Sequence, residues 1–531
     1  MPRLRAATLL LLGLASCTPE VVPSTCEPST CSGCCTTSGE CVAGDEATAC
    51  GRGASACTSC ALLLECRAGS CVAQPQGGGT GGGGTGGGGG TTIDAGESDA
   101  GAPDAGESDA GVADAGTSSD AGAPVWVLDT GLTANELGVL VNELDPISVL
   151  VADRYITARN IPARNVVRLS FDAGTGTTMP SAVFAGLKQQ ADAIALDAGL
   201  QAWAITWTRP YRVDCMSIGT AFAVGFDAGF CTSMSPCSTT STLPTYDDEG
   251  VRDGGRSPHR PFDSFGVRPT MMLPTGTDAG ATLDLIARGV SADGTSPRGS
   301  GWFYRTTDTA RSVRWPEFRK ITLPQWTPDG GLDLTYVDTT DGGAQVLSNA
   351  TDVLFYFQGL ANVGSIATNT YRPGAVADHL TSFGGQVPTS GQMSVMSWIE
   401  AGATASYGTV VEPCNYTSKF PNTTVLLSHY YRGEPIIEAY WKSVSMPGEG
   451  LFVGEPLATP WKPSSTWDAA TQTLTLTTTQ LKPNLRYGIE SAPTQTGPWT
   501  RMQTGLTTSR HGPNTLTVRP ATAAFYRLIR E

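Results

Sequence analysis

Seven side chains between residues 125 and 461 are of the types that carry nucleophilic or general-base chemistry: His259, His379 and His429, with Cys215, Cys231, Cys237 and Cys414. A cysteine nucleophile needs thiolate character and a base within reach. The economical grouping is Asp378-His379 with Cys414 and Glu412, His379 serving as base and Cys414 as nucleophile, with Ser382 and Thr409 as polar neighbours. The same residues also read as a binding site without catalysis. His379, Ser382, Thr409 and Glu412 would then sit at the carboxyl edge of a sheet, where open α/β folds place their ligands. A plainer reading of Cys414 is a disulfide half or an incidental thiol. Four cysteines are an even number, Cys215 with Cys231 or Cys237 staples a loop-rich region, and Cys414 can take the one left over. His379, likewise, reads as a hydrogen-bonded structural histidine beside a helix start.

Other chemistries find less support. No glycine-rich phosphate loop follows a strand, because the long glycine run at 77–90 precedes all globular sequence. No G-x-S-x-G elbow and no H-E-x-x-H helix occurs. Asp145, Asp153, Asp308 and Asp378 could act as paired carboxylates, but spacing alone brings no two of them together. No cofactor and no metal is implied. The formal charge is −15, and with no basic footprint a nucleic-acid partner is excluded.

The elements that must position these residues alternate between strand and helix. Residues 137–142 (LGVLVN) form a short apolar strand. Asp145-Pro146 then offers an N-cap and a proline at the first helical position. Ile147, Leu150, Val151 and Tyr155 make one helical face, and the helix stops near Asn160-Ile161-Pro162. Residues 166–169 are a second strand, 181–196 a helix and 202–207 a third strand. Later, 353–357 reads as a buried strand, 393–400 as a helix stopped by Gly402, and 403–411 as a strand ended by Pro413. Continuous apolar strands alternating with helices predict an α/β body over 125–461, mainly a parallel sheet with helices on both faces.

What precedes the body divides by composition. Residues 1–16 carry Arg3 and Arg5 and then a short apolar run, too short to span a bilayer. Residues 17–75 include ten cysteines between Cys26 and Cys71 and almost no aliphatic core, so the expectation is a disulfide-stapled head. The pairs Cys31/Cys34 and Cys57/Cys60 leave a zinc ribbon as the rival. Residues 76–124 are a tether of glycine and repeated Asp-Ala-Gly. They hold eight acidic and no basic side chains, which leaves −7 for the rest. With no apolar face at either period the tether is expected to be disordered, reaching about 40 Å. Asp-Ala-Gly recurs at 172, 197, 227 and 278 between patterned segments, as loop tips. From 462 to 531 the period changes to alternation, in "TLTLTT" (473–478), residues 486–490, 515–518 and 525–529. That pattern predicts a small antiparallel, sandwich-like β-domain.

Four resemblances add to this. Leu14-Ala15-Ser16-Cys17 after the apolar run resembles a bacterial lipoprotein signal, which implies a lipid anchor on Cys17. Thr18 in place of Asp favours the outer membrane; the alternative is an ordinary cleaved signal with Cys17 as a spare thiol. The phrases "PISVLVADRYITARNIPARNVVRLSF", "AITWTRPYRV", "ADHLTSFGG", "AGATASYGTVVEPC", "EPIIEAYWKSV" and "LFVGEPLATPW" resemble, over about 130–461, a family of exported bacterial proteins of no established activity. More distantly, Gly402-Ala403-Thr404-Ala405 and Glu438-Ala439 resemble gingipain and caspase-like cysteine peptidases. In those, one strand ends in His-Gly and the next in the nucleophilic cysteine. Here Gln358-Gly359 stands where His-Gly is expected and no cysteine occurs from 238 to 413, so the resemblance implies the fold without that mechanism. "GPWTRMQTG" and "AAFYRLIRE" resemble fibronectin-type-III-like accessory modules. Together these features imply a membrane-anchored, exported binding or scaffolding protein, reaching a protein or cell-surface partner through head and tail, with a cysteine hydrolase as the alternative.

Overall fold

The computed structural model describes parts of residues 26–73 and, from 122 to 531, all but 175, 234–238, 249–259, 277–278, 322–325 and 327. Cys17, the tether before residue 122, Cys237 and His259 lie outside the described residues. The chain forms two compact units, residues 1–116 and residues 117–531.

In the first unit the described residues are short strands of two to four residues held by Cys26–Cys35, Cys31–Cys41, Cys34–Cys57 and Cys50–Cys66. Cys31 and Cys34, the potential zinc pair, are bonded to different partners. By loop-closure entropy each bridge stabilises the unit by about 3 kcal/mol. That matters because among the described residues of this unit the buried hydrophobics are Cys31, Cys34 and Cys50.

The second unit is built on one ten-stranded sheet: β1 (Leu137–Asn142), β2 (Val166–Leu169), β3 (Ala202–Ile205), β4 (Thr270–Met272), β5 (Gly299–Arg305), β6 (Leu332–Asp338), β7 (Val353–Gln358), β8 (Tyr371–His379), β9 (Ala405–Thr409) and β10 (Gly450–Gly454). Their order is β2-β1-β3-β4-β10-β9-β8-β7-β5-β6. Every neighbouring pair is parallel except β9 with β10, where Tyr407 faces Phe452 in an antiparallel ladder. The sheet is therefore two parallel five-stranded halves meeting at one antiparallel seam. Within each half the first strand in chain order, β1 or β5, lies between the second and third. All residues of β1, β3, β7, β9 and β10 are buried, so both faces of the sheet are covered, and the unbroken apolar runs in the sequence follow from that.

Helix α1 (Pro146–Arg159) begins as its sequence dictates: Asp145 Oδ1 accepts from the Ile147 N–H at 2.9 Å, and Asn160 closes the helix in the left-handed conformation. Its buried face differs from the expectation. Ser148, Val151, Ala152 and Tyr155 face inward, while Leu150 is 50% exposed. Ser148 wins the inner position because its hydroxyl accepts from Asn142 N–H (3.0 Å) and shares a hydrogen bond with Thr206 Oγ1 (2.8 Å), satisfying the end of β1. Helix α2 (Ser181–Ala198) ends on Gly199 at φ +68°, the glycine of an Asp-Ala-Gly tip. Gly138 in β1 has no substitute, since a Cβ there would lie 2.3 Å from the buried Trp203 ring. Five strands of the sheet, β4, β5, β6, β8 and β10, were not apparent from periodicity. His379 consequently ends a strand instead of standing beside a helix start.

After residue 463 the strands form two sheets around a hydrophobic cluster of their own, which includes Trp126, Leu474, Leu476 and Tyr526. One sheet is antiparallel, Ser464–Asp468, Thr473–Thr478 and Asn514–Val518. In the other, Thr500–Leu506, Tyr487–Ala492 and Phe525–Arg530 are antiparallel, and Val125–Trp126 adds a parallel edge. His511 stacks on Trp326 with ring centroids 3.7 Å apart and accepts from Arg432 Nη2 at 2.8 Å, fastening these strands to the α/β layer.

Candidate functional site

At the carboxyl edge of the second half, β8 delivers Asp378 and His379 and β9 delivers Thr409. Close backbone approach builds this corner. Gly408 packs so tightly on Gly384-Gly385 that a Cβ would fall 2.5 Å from their backbone, and Gly385 N–H donates to the Thr409 carbonyl at 2.9 Å. Thr409 Oγ1 donates to the carbonyls of Thr381 (3.3 Å) and Ser382 (2.9 Å). Thr409 and Ser382 thus do meet, but through a buried hydroxyl that is used up holding a loop.

The acid and base expected here are committed elsewhere. Asp378 is 1% exposed and accepts from Arg314 Nη2 at 2.6 Å, and the same nitrogen donates to the Gln358 carbonyl at 3.0 Å. Burial pushes the Asp378 carboxyl up, against the pull of Arg314. His379 Nδ1 accepts from the Trp398 indole N–H at 2.9 Å. Burial, reinforced by Arg314 and Arg311, lowers the His379 pKa to about 3. The neutral ring therefore carries its proton on Nε2 and has no free lone pair with which to act as a general base. His429 is also engaged, with Nδ1 on Glu434 Oε1 (2.9 Å) and Nε2 on the Asp247 carbonyl (2.8 Å).

Cys414 is disulfide-bonded and has no thiolate. Glu412 is exposed and its Oε1 accepts from Cys414 N–H at 2.8 Å, a local turn at a residue whose φ is +55°. The catalytic pairing of His379 with Cys414 therefore lacks both its base and its nucleophile in this structure. The four candidate carboxylates have separate occupations. Asp378 pairs with Arg314, Asp308 pairs with Arg311 at 2.9 Å, Asp145 caps α1, and Asp153 stands exposed on that helix.

A cavity of 460 Å³ opens instead at the carboxyl edge of the first half, lined by Asn142, Asp145, Asp172, Thr208, Arg209 and Pro388 among others. Its position follows from the strand order. The chain leaves β1 for β2 on one side and returns from β2 to β3 on the other, so the connections diverge at the ends of β1 and β3 and leave a crevice there. The loops after β1, β2 and β3 supply Asn142 to Pro146, Asp172 to Gly174, and Thr208 with Arg209. Pro388 comes from the loop after β8, and Arg209 Nε donates to the neighbouring Val387 carbonyl at 3.3 Å. Thr208 Oγ1 is held by Thr275, 2.6 Å from its hydroxyl and 2.7 Å from its N–H.

Asn142 is fully buried in this wall. Its Oδ1 accepts from the N–H groups of Leu144 (3.2 Å) and Phe171 (3.4 Å), which fixes the amide, and its Nδ2 has no hydrogen-bond partner among the described residues. Sequence reasoning found Asp145 as a helix cap and missed Asn142, Asp172 and Arg209 as a group. The available signal was the strand-loop-helix pattern of "LGVLVNELDP", which marks the end of a first parallel strand. No protein family, curated protein or solved structure matches the chain.

Proposed function

We propose that the protein is an exported, lipid-anchored binding protein whose α/β unit captures a small polar ligand in the crevice at the ends of β1 and β3. The observation that carries this reading is the cavity itself. Its 460 Å³ volume lies in the range of small-molecule sites, at the strand-order reversal where doubly wound sheets bind ligands, with a buried amide nitrogen left unpartnered in its wall. Anchoring through Cys17, in the outer membrane, rests on the lipoprotein-like signal. Residues 17–75 then form the head and 76–124 the tether from which the unit is displayed, free to meet a protein or cell-surface partner through the head or the C-terminal strands.

A distant relation to gingipain and caspase-like peptidases is supported by the second half, where β6-β5-β7-β8-β9 run parallel and β10 closes antiparallel. The strand ends at which those enzymes carry histidine and cysteine hold Gln358 and His379, in register with each other. On that reading the peptidase-like half is degenerate, and its corner at Thr409 and Ser382 is structural. The oxidised Cys414 and the protonated Nε2 of His379 favour binding over cysteine hydrolysis.

The test is a thermal-shift screen of the full-length chain against amino acids, short peptides, monosaccharides, carboxylates and nucleotides. It is repeated on Gly276→Phe, which adds a ring to a residue that lines the cavity, its Cβ 3.5 Å from Glu400 Oε1. A ligand that raises Tm in the parent and loses its effect in Gly276→Phe supports the site. If no compound acts, or the effect survives the blocking ring, the site is refuted.

A further inference from the structure

We infer that the cavity at the ends of β1 and β3 takes a zwitterion, a small molecule with a free ammonium group and a free carboxylate, such as an α-amino acid or a short peptide with open ends. This rests on the binding reading above and specifies its ligand. The three charged side chains of the wall share one arrangement, each anchored at one end by a hydrogen bond to the backbone and open at the other. Asp145 Oδ1 accepts from Ile147 N–H at 2.9 Å, and Asp172 Oδ1 accepts from Gly174 N–H at 2.8 Å. The second oxygen of each carboxylate has no protein partner among the described residues. Arg209 is held through Nε on the Val387 carbonyl and makes no ion pair among the described residues, although two carboxylates line the same cavity. Asn142 is anchored through Oδ1, with Nδ2 buried and unpartnered.

Opposite charges facing one small cavity attract, and without a ligand they would gain by closing on each other. Here each is fixed by a hydrogen bond to the backbone, local for Asp145 and Asp172 and to Val387 for Arg209, which is how a site pre-organised for charged groups is built. The open donor, Arg209, calls for an anionic oxygen pair, and a guanidinium fork matches a carboxylate. The open acceptors, Asp145 and Asp172, call for an ammonium. Two acids against one arginine disfavour a dicarboxylate, and Arg209 disfavours a polyamine. Among the described residues no aromatic side chain lines the cavity, so they supply no stacking platform of a sugar site. Pro146, Ala173 and Pro388 supply the apolar contact that a peptide backbone tolerates.

Isothermal titration of the full-length chain with alanine, alanylalanine and trialanine, at concentrations to the millimolar range, tests this. Each is compared with its N-acetylated and its C-terminally amidated form. At least one open-ended member is expected to bind, with either cap weakening it tenfold or more. In Arg209→Gln the amide cap should cease to matter while the acetyl cap still does. In Asp172→Asn, an exposed position whose change leaves the fold alone, the acetyl penalty should shrink selectively. Absence of binding by all three open-ended members, or indifference to both caps, overturns the zwitterion. If a sugar or a simple carboxylate stabilises the parent but not Gly276→Phe, the cavity is a site and only the ligand class is wrong. If nothing discriminates the blocked variant, the site itself fails.

Discussion

Two histidines that cannot accept a proton in the fold should make the second unit acid-labile well above the range in which ordinary carboxylates titrate. His379 is 1% exposed with its pKa lowered to about 3, chiefly by burial. His511 is 7% exposed and lowered to about 2, by burial and then by Arg432 and Lys482. An unfolded histidine titrates near 6.5. For a group depressed in the fold, the unfolded chain binds the proton first. Stability is therefore complete above pH 6.5 and is lost as pH falls from there toward the folded value. Integrating one site from pH 7 to pH 5 gives a loss of about 2 kcal/mol, so the pair removes about 4 kcal/mol over that interval. The perturbation is His379→Gln, which keeps an acceptor for the Trp398 indole and removes the titration. Urea unfolding followed by fluorescence at pH 7, 6 and 5 reads it. The variant is expected to be less stable at pH 7 because ring packing is lost, yet to lose about 2 kcal/mol less than the parent between pH 7 and 5. Buried carboxylates such as Glu449, also pushed up by burial, titrate alike in both proteins and cancel in the difference. An unchanged pH slope would refute a neutral, lone-pair-engaged His379, and with it the case against that residue as a base.

Three further outcomes follow from the same packing. Native alkylation with iodoacetamide should leave Cys414 unlabelled until a reductant is added, and Cys414→Ser should cost about 2–5 kcal/mol; labelling of the untreated protein would reopen the nucleophile. Arg314→Met strands Asp378 at 1% exposure and should destabilise by about 3–5 kcal/mol, most of it recovered in Arg314→Met/Asp378→Leu. A double variant no better than the single would mean that the pair matters for more than mutual neutralisation. Leu150→Lys should shift stability by no more than about 0.5 kcal/mol, whereas Val151→Lys one residue later should unfold the helix packing. Equal effects would contradict the face assigned to α1.

Local chemistry was legible where it acts over a few residues. Asp145-Pro146 capped a helix, Asn160 ended it, and the apolar runs at 137–142 and 353–357 became β1 and β7, because caps and fully buried strands are decided by nearest neighbours. The face of α1 was misjudged because a serine that satisfies a strand end outranks a leucine, and that partner lies across the loop in β1 and across the sheet at Thr206. Strands β5 and β6 are long but mix Gly, Ser, Thr and Asp with aromatics, so neither period stands out. The grouping of His379 with Cys414 was reasonable from residue types, yet both are spoken for by distant chain: Trp398 takes the imidazole nitrogen, and a disulfide takes the sulfur.

The sequence by itself determined an α/β unit of buried parallel strands, a cysteine-stapled head, alternating strands at the end and the absence of a basic footprint, since these follow from composition and short-range pattern. Tertiary structure alone decided which carboxyl edge is open. One edge is filled by an arginine on Asp378, an indole on His379 and a loop pinned by Thr409. The other stays hollow because the strand order reverses at β1 and β3, and strand order is set by contacts between residues tens to hundreds of positions apart.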